Sequence, residues 1–581
     1  MGQMKKAMFV RSALLVAVTL ASLNACGRAG AGVSTAKIDK LFEAWNKTDT
    51  PGCAVGVSQD DVIVYEHGYG MANLERGVPI TPETVFPIAS ISKAFTSMSV
   101  LLAAEHGQLS LNDEVQKFIP EWIDREDHIT IRHLLNHTSG LRDAFTLLGW
   151  APPSESAGNQ NEGIVRMLAR QRGLNFAPGT KYEYNNGGYN LLASILKRAT
   201  GQSLRAFADI NIFKPLGMTR SHFHDDPTMV VPNRASGYTR TIDSWRLAKE
   251  DGGIVGNAGM YSTVGDLLRW SQNFIDVRVG SPALVAAMQT PALLKDGTAT
   301  GGGMGLALGE YRGVRMVETA GGDHGIATEV MLYPDQRLAV AVLCNEDSVA
   351  MGGMARVNPD VFAKGIADIY IAEALSPAAA SPATATPPPP TPAAKPVTLS
   401  AEEVSEKTGL YRFVLQDWPI LISAGRGVLL WRSYYLEGFD YELTPVGANR
   451  FLFNGNVPFE FVPSTVGKPK QWRIVDSPGD QGLVLPVTFV PPASELPSYT
   501  GDYHSDEIGV TFTVERHGSV LALKNGGWVD TPVQGFSKDV FVGDVVGIVK
   551  FSRDARGAVT GFTLNRGGAH DVRFIRIKRA D

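Results

Sequence analysis

The sequence predicts an α/β (α+β) unit with one antiparallel sheet flanked by helices, followed by two small all-β units of barrel-like character. Three observations lead to this fold class. Strand patterns occur near both ends of residues 33–375, with helical sequence between them. Residues 376–397 are rich in proline and alanine, which is typical of a linker. Residues 398–490 and 491–581 carry short strands separated by glycine, aspartate and asparagine turns, which favours two all-β units.

The elements of the first unit follow from local patterns in chain order. A helix is predicted over residues 35–46. The apolar runs 54–57 and 62–65 flank a short polar turn, which indicates a hairpin. Two further strands, 328–333 and 338–343, are joined by a Pro-Asp-Gln turn. We expect the strands from both ends of the unit to form one antiparallel sheet.

Two cysteines belong to this predicted sheet. Cys53 opens one strand pattern and Cys344 closes another, so in an antiparallel pair the two would be neighbours. An oxidising compartment would permit a disulfide between them. Two buried free thiols are the alternative, and this is the interpretation that we favour from the sequence.

The all-β units show a weak internal repeat. Residues 376–397 contain eight prolines and should form a semi-rigid, extended spacer. Beyond it, the Thr-Gly-Leu-Tyr sequence at 408–411 is echoed by Thr-Gly-Asp-Tyr at 500–503. Further β-rich sequence follows each copy, so we interpret the two units as related small domains.

Composition excludes some classes of function. Of 581 residues, 44% are hydrophobic and 19% are charged, which is ordinary for a globular protein. The net charge of -5 gives no reason to expect a nucleic-acid partner. The three cysteines are far apart and the histidines form no HExxH pattern. No metal site is predicted, and no cofactor is expected.

The N-terminal residues have the pattern of an export signal. Basic residues precede an apolar run at 13–23, which is too short to span a bilayer comfortably. We therefore predict a lipoprotein signal peptide over residues 1–26. The small residues before Cys26 resemble a bacterial lipobox, in which the cysteine is acylated. The expected location is the periplasm or outer cell envelope, anchored to the membrane through Cys26; simple cleavage to a soluble periplasmic protein is the alternative.

Ser90 and Lys93 form a Ser-x-x-Lys pattern at the start of a predicted helix, residues 90–106. The three-residue spacing places both side chains on one face of that helix. A serine hydroxyl is a poor nucleophile unless a base removes its proton, and a lysine whose pKa is lowered by burial can be that base. The pattern alone is common by chance, so an ordinary surface serine and lysine are the alternative.

Two further segments carry residues suited to the same site. Tyr184 and Asn186 form a Tyr-x-Asn triplet after a Pro-Gly turn. A phenol near an ammonium can pass a proton, and a carboxamide can hold a substrate carbonyl; alone, the triplet also fits a helix cap. The segment 319–325 reads Thr-Ala-Gly-Gly-Asp-His-Gly and precedes a strand. A strand edge of small residues lets a substrate backbone come close.

In this order, the three segments resemble the motifs of serine β-lactamases, penicillin-binding proteins and D-aminopeptidases. The resemblance covers roughly residues 37–350 and is greatest for the class C β-lactamase-like branch, which includes esterases and D-amino-acid peptidases. Further matching stretches lie at 67–70, 129–141, 258–263 and 303–306. The resemblance implies a β-lactamase-like catalytic fold, and the paired all-β units are similar to the three-domain D-aminopeptidase arrangement.

The resemblance also implies a role for each site residue. Ser90 would attack a carbonyl carbon, while Lys93 and Tyr184 manage protons and Asn186 holds the substrate. The backbone N–H groups of Ser90 and Gly322 would form the oxyanion hole, and one such donor is commonly worth about 3 kcal/mol.

One position departs from the family pattern. Thr319 and Gly321 belong to the strand that would bind substrate, but members of this superfamily usually carry Lys or His where this chain has Thr319. That cation helps to bind a substrate carboxylate. His324 or Arg315 could replace it. The departure favours a substrate that lacks the carboxylate and argues against true β-lactamase activity.

We therefore expect an exported serine hydrolase that cleaves amide or ester bonds of small substrates through an acyl-serine, on short peptides in the manner of D-aminopeptidases or DD-peptidases. A carboxylesterase is one alternative. A catalytically weak penicillin-binding sensor or scaffold of the cell envelope is the other. His133 and His137 lie in a stretch that is structural in the family and are given no catalytic role. The all-β units either pack inertly or send a loop into the active site.

Overall fold

The computed structural model of this chain describes residues 35–123, 126–151, 160–240, 244–248, 252–346, 357–376, 399–414, 418–425, 428–433, 440–453, 457–465, 469–475, 482–525, 530–543 and 545–578. The predicted signal peptide, with Cys26, and almost all of the predicted linker lie outside these residues. Among the helices in the described part of the chain, none has the length and apolar character needed to cross a bilayer.

The first unit is a sheet with helices on both faces. Its helices are α1 Thr35–Leu41, α2 Ser92–Glu105, α3 Ile131–Leu135, α4 Ala144–Trp150, α5 Gln160–Ala169, α6 Asn186–Thr200, α7 Leu204–Ala208, α8 Lys214–Leu216, α9 Val264–Gln272, α10 Pro282–Met288 and α11 Pro359–Tyr370. Its strands are β1 Cys53–Gln59, β2 Val62–Tyr69, β3 Met71–Asn73, β4 Val78–Pro79, β5 Phe86–Pro87, β6 His222–Phe223, β7 Tyr238–Arg240, β8 Trp245–Leu247, β9 Met260–Ser262, β10 Ala307–Tyr311, β11 Val314–Asp323, β12 Ile326–Tyr333 and β13 Leu338–Cys344.

The main sheet joins the two ends of the unit, as the sequence predicts. Its order is β10-β11-β12-β13-β1-β2, and each neighbouring pair is antiparallel. Helices α1 and α11 cover one face, and α2 and α9 pack toward the other. Strands β12 and β13 are buried along their whole length, because helices lie on both sides of them.

Two sequence expectations need correction here. Helix α1 ends at Leu41 instead of continuing to residue 46, because the chain turns so that Phe42 and Trp45 pack against Phe362. The preference for free thiols is wrong. Cys53 and Cys344 face each other in the register of β1 and β13 and form a disulfide.

The rest of the described chain forms two closed barrels of eight strands each. The first contains α12 Ala401–Lys407, β14 Gly409–Phe413, β15 Trp418–Gly425, β16 Val428–Ser433, β17 Asp440–Pro445, β18 Arg450–Phe453, β19 Val457–Val462, β20 Gln471–Ile474 and β21 Leu483–Pro486. The second contains α13 Leu496–Tyr499, β22 Gly501–Ser505, β23 Val510–His517, β24 Val520–Lys524, β25 Thr531–Ser537, β26 Val540–Gly543, β27 Gly547–Arg553, β28 Val559–Arg566 and β29 Ala569–Ile577.

The internal repeat marks the same position in both barrels. Tyr411 in β14 and Tyr503 in β22 are each buried in their barrel. The hydroxyl of each donates to the carbonyl four residues earlier, at 2.8 Å for Tyr411 and 2.7 Å for Tyr503. The repeated Thr-Gly-x-Tyr sequence is therefore the corner at which a short helix passes into the first strand.

Candidate active site

Ser90 lies in a tight turn between a short strand and a helix. Residues Ala89–Ile91 form a 3₁₀ turn that leads directly into α2, and Ala89 has a φ of 46°. This left-handed conformation is uncommon for a residue with a side chain and typical of functional turns. The Ser92 hydroxyl secures the turn by donating to the Ala89 carbonyl at 2.6 Å and accepting the N–H of Met260 at 3.1 Å.

Lys93 lies one helical turn from Ser90 and is buried. Its Nζ is 2.9 Å from Ser90 Oγ and 2.7 Å from the backbone carbonyl of Asn257. Burial lowers the pKa of Lys93 to about 7, against the smaller opposing effects of Asp323 and Asp143. At neutral pH a large fraction of this amine is therefore unprotonated and able to accept a proton.

Tyr184 completes the group of side chains around Ser90. Its hydroxyl donates to Ser90 Oγ at 2.8 Å, and its ring centre lies 4.8 Å from Lys93 Nζ. The neighbouring Asn185 caps α6 by accepting the N–H of Gly188 at 2.8 Å. The triplet therefore does contain a helix cap, Asn185, whereas the catalytic role of the adjacent Tyr184 stays a prediction.

His137 positions this tyrosine, a role that sequence reasoning missed. Its ring lies 4.6 Å from the Tyr184 ring and 5.0 Å from the Tyr189 ring, measured between centres. Its Nδ1 accepts the backbone N–H of Asn185 at 3.0 Å. Burial and the nearby Lys93 charge lower the pKa of His137 to about 3, so that the ring is neutral. His133, in contrast, forms a capping box with Thr130, the N-cap of α3.

Asn257 is a second residue that the sequence did not single out. Besides the carbonyl that receives Lys93, its side-chain Oδ1 accepts from Asn190 Nδ2 at 2.8 Å. Asn190 belongs to α6, the helix that follows Tyr184. The sequence offered one indication, because Asn257 directly precedes the matching stretch at 258–263. However, the contact to Lys93 is made by a backbone carbonyl, which any residue type could supply.

The strand β11 forms the opposite wall of the site. Only glycine fits at position 321, because a Cβ there would lie 2.3 Å from the Ile88 carbonyl and 2.4 Å from Thr328 Oγ1. This close approach brings Gly321 and Gly322 beside the Ser90 turn, where both line the same cleft. The assignment of the Ser90 and Gly322 N–H groups to an oxyanion hole stays a prediction.

These walls enclose a cleft of about 1050 Å³. Ser90, Tyr184 and Asn186 line it together with residues 320–324 of β11 and its turn. Thr319 is buried and lies two residues before Gly321, on the face of β11 that meets the Ser90 turn, whereas Glu318 and Ala320 lie on the other face of the strand.

The sequence matches the beta-lactamase family model over residues 38–358, which is more than half of the chain. The chain belongs to the beta-lactamase family. It is 31% identical over 310 residues to a D-aminopeptidase of Gluconobacter oxydans (strain 621H), a match that covers 53% of this chain and 58% of the relative. It is 30% identical over 331 residues to a penicillin-binding protein of Bacillus subtilis (strain 168), covering 53% of this chain and 71% of that protein.

A solved structure extends the similarity of fold beyond the beta-lactamase domain. The octameric penicillin-binding protein homologue from Pyrococcus abyssi is 21% identical, with a TM-score of 0.52, and the match covers 84% of this chain and 98% of that one. The curated D-aminopeptidase is matched over little more than half of its length.

Arg315 and His324, the two residues that could replace the missing cation at position 319, lie in different places. Arg315 lies near the start of β11 and pairs with Asp335, 3.1 Å away. His324 lines the cleft. The second barrel adds a cation that the sequence did not suggest, because Arg566 at the end of β28 also lines the cleft.

The second barrel is docked firmly beside the site. Arg142 and Glu507 form a buried ion pair at 2.8 Å, with 3% and 6% of the side chains exposed. Next to it, the N–H of Asp143 donates to the Gly568 carbonyl at 2.7 Å. Asp143 caps α4, and Phe145 and Thr146 of α4 line the cleft. One wall of the cleft therefore depends on contact with the barrel.

Two groups of side chains in the described residues have the spacing of cation ligands. Glu318, Glu329 and Asp360 form one, and Glu515, His517 and Asp530 form the other. The first group lines the cleft, and the second lies on the surface of the second barrel.

Proposed function

We propose that the chain is an exported serine hydrolase that cleaves amide or ester bonds of short peptides through an acyl-Ser90 intermediate. The observation that carries the proposal is the position of Ser90 Oγ, 2.9 Å from a buried amine and 2.8 Å from a phenol. The D-aminopeptidase relatives support amide bonds of small peptides as the substrate class.

The first half of the reaction follows from the protons at this site. Neutral Lys93 accepts the Ser90 proton while Oγ attacks the substrate carbonyl carbon. The N–H groups of Ser90 and Gly322 stabilise the negative charge on the carbonyl oxygen. When the tetrahedral intermediate collapses, the bond to the leaving group breaks, and Lys93 returns the proton to that group, with Tyr184 in position to pass it.

The second half repeats these steps with water. A water molecule loses a proton to Lys93 and attacks the acyl carbon, and the ester bond to Ser90 breaks. The proton returns to Ser90 Oγ, and the carboxylic acid leaves. His137 takes no proton in this scheme, because its low pKa keeps the ring neutral; it holds the Tyr184 ring in place.

A carboxylesterase is the second candidate, and Thr319 is the observation that favours it. With threonine at that position, β11 does not supply the cation that usually helps to bind a substrate carboxylate in this family. Both candidates require the same acyl-serine. They differ in the leaving group, so a substrate panel can separate them.

The second barrel supports a preference for short substrates. Arg566 and its hairpin close one side of the cleft, and Gly568 in the same hairpin is hydrogen-bonded to Asp143. We infer that Arg566→Ala changes the ranking of substrates by kcat/KM while Ser90 labelling persists. An unchanged ranking across the panel would reject this role.

The decisive experiment is covalent labelling followed by turnover. A fluorophosphonate reagent should label the wild-type chain and leave Ser90→Ala unlabelled. No labelling of the wild type between mildly acidic and alkaline pH would favour the sensor or scaffold. A panel of p-nitrophenyl esters, D-amino-acid anilides, D-Ala-D-Ala peptides and nitrocefin then assigns the substrate class.

Export and lipidation through Cys26 belong to the same proposal. The Cys53–Cys344 disulfide supports it, because disulfides persist mainly in oxidising compartments. Cells fed an alkyne analogue of palmitate should yield a labelled wild-type chain in the membrane fraction. Cys26→Ala should be unlabelled, and equal labelling of both chains would contradict the anchor.

A further inference from the structure

Three carboxylates from separate elements converge on the face of the main sheet that α11 covers, next to the edge of β11. In the β11–β12 pair, Glu329 faces Ala320, and Glu318 lies two residues before Ala320 on the same face of β11. Asp360 is the second residue of α11, which packs on that face. The carboxylate oxygens of Glu318, Glu329 and Asp360 lie within 4.8 Å of one another and line the cleft that contains Ser90.

One of these carboxylates is deeply buried and only partly hydrogen-bonded. Glu329 is 3% exposed, and its Oε1 has no hydrogen-bonding partner among the residues that the structure describes. A buried polar oxygen without a partner is costly, and proteins usually satisfy such atoms with a ligand, an ion or water.

The negative charge of these three carboxylates is only partly balanced by a neighbouring cation. Lys364 lies 2.5 Å from Asp360 and offsets one of the three negative charges. When all three carboxylates are ionised, a formal charge of -2 remains in a largely buried place. A single divalent cation would balance it.

We propose that Glu318, Glu329 and Asp360 bind a divalent cation of the hard class, of calcium or manganese size, between the main sheet and α11. The donor set consists only of carboxylate oxygens, which such ions prefer over nitrogen or sulfur. Calcium takes oxygens at about 2.3–2.6 Å, so two of its ligands lie at most about 5 Å apart, as these carboxylates do. Three protein ligands leave further coordination positions for water.

A second group of side chains with the spacing of cation ligands serves as a control for this proposal. Glu515, His517 and Asp530 have the same close spacing, but they are on the surface and already paired. Glu515 Oε1 lies 2.9 Å from Lys524 Nζ, and His517 is near both carboxylates. This group has no buried carboxylate, and none of its oxygens is among the buried, unpartnered atoms of the described residues, so spacing alone should not make it a site.

Calorimetric titration of the full chain tests the proposal, after treatment with a chelator and its removal. We expect one equivalent of Ca²⁺ or Mn²⁺ to bind to the wild type and to Glu515→Gln. Affinity should fall at least tenfold in Glu329→Gln and Glu318→Gln. Absence of binding to the wild type, or equal binding to Glu329→Gln, would overturn the site.

Thermal unfolding gives a second measurement that does not depend on catalysis. Added ion should raise the midpoint of the wild type, because an ion that binds only the folded state stabilises it. It should not raise the midpoint of Glu329→Gln; equal rises in both would also reject the site. Fluorophosphonate labelling of Ser90 reports on the proposed hydrolase independently, so the two proposals can fail separately.

Discussion

The strongest test of the mechanism is the pH dependence of Ser90 acylation. Lys93 acts as base only in its neutral form, and burial lowers its pKa from 10.5 to about 7. Burial disfavours the charged amine, so the neutral form should accumulate as pH rises through 7. The labelling rate should therefore increase across this range and then level off.

The size of the change follows from the titration of one group. With a pKa of about 7, roughly a tenth of Lys93 is neutral at pH 6, half at pH 7 and nine-tenths at pH 8. Labelling should then be about fivefold faster at pH 7 than at pH 6, and about twofold faster again at pH 8. A lysine with an ordinary pKa would be neutral in only about one molecule in three thousand at pH 7.

The assay is the second-order rate of fluorophosphonate labelling between pH 5.5 and 9.5. Lys93→Met should lose rapid labelling over the whole range. Asp323→Asn should shift the midpoint to lower pH, because the Asp323 charge raises the pKa of Lys93. A rate that keeps rising about tenfold per pH unit up to pH 9 would refute the reasoning, since the amine would then be protonated at neutral pH.

Three further predictions concern the surroundings of the nucleophile. Tyr184→Phe removes the 2.8 Å contact to Ser90 and should slow labelling about 100-fold at unchanged stability; a rate within threefold of wild type would remove Tyr184 from the mechanism. Gly321→Ala should cost about 1–3 kcal/mol of unfolding free energy and most of the labelling, whereas Gly309→Ala, whose Cβ meets nothing within 4 Å, should affect labelling little. Glu507→Gln leaves Arg142 without its counter-charge and should lower the free energy of unfolding in urea by about 3–5 kcal/mol. The control Asp506→Asn removes an exposed partner of Arg172 and should lower it by only about 0–1 kcal/mol. Equal losses would mean that burial of the Arg142–Glu507 pair is unimportant.

Much of the site could be predicted from the sequence because its parts are local. Ser90 and Lys93 are one helical turn apart, so their contact follows from helix geometry alone. The Tyr184 segment has a recognisable turn and cap, although only the family resemblance placed it near Ser90. The sheet was predictable because two strand patterns lie at each end of the unit and must bury their apolar faces together.

Contacts between residues that are distant in the sequence and belong to no motif could not be predicted. The register that sets Cys53 opposite Cys344 is fixed only once β1 and β13 pair, so the disulfide could not be separated from two thiols. Glu318 and Glu329 converge with Asp360 through strand register and helix packing. None of these three stands in a spacing that indicates a site.

The second barrel is best regarded as part of the wall of the cleft that contains Ser90. Arg142, which is buried against Glu507, immediately precedes Asp143, and Asp143 both caps α4 and is hydrogen-bonded to Gly568. A change at the barrel surface that displaces Arg142 would therefore also displace Asp143, the next residue, and with it the N-terminus of α4. Removal of the barrel would take away Glu507, leave Arg142 without its counter-charge and release α4. A loss of activity on truncation could therefore not be assigned to Arg566. Point variants keep the docked surface in place, and they alone can show whether the barrel selects substrates or only supports the wall of the cleft.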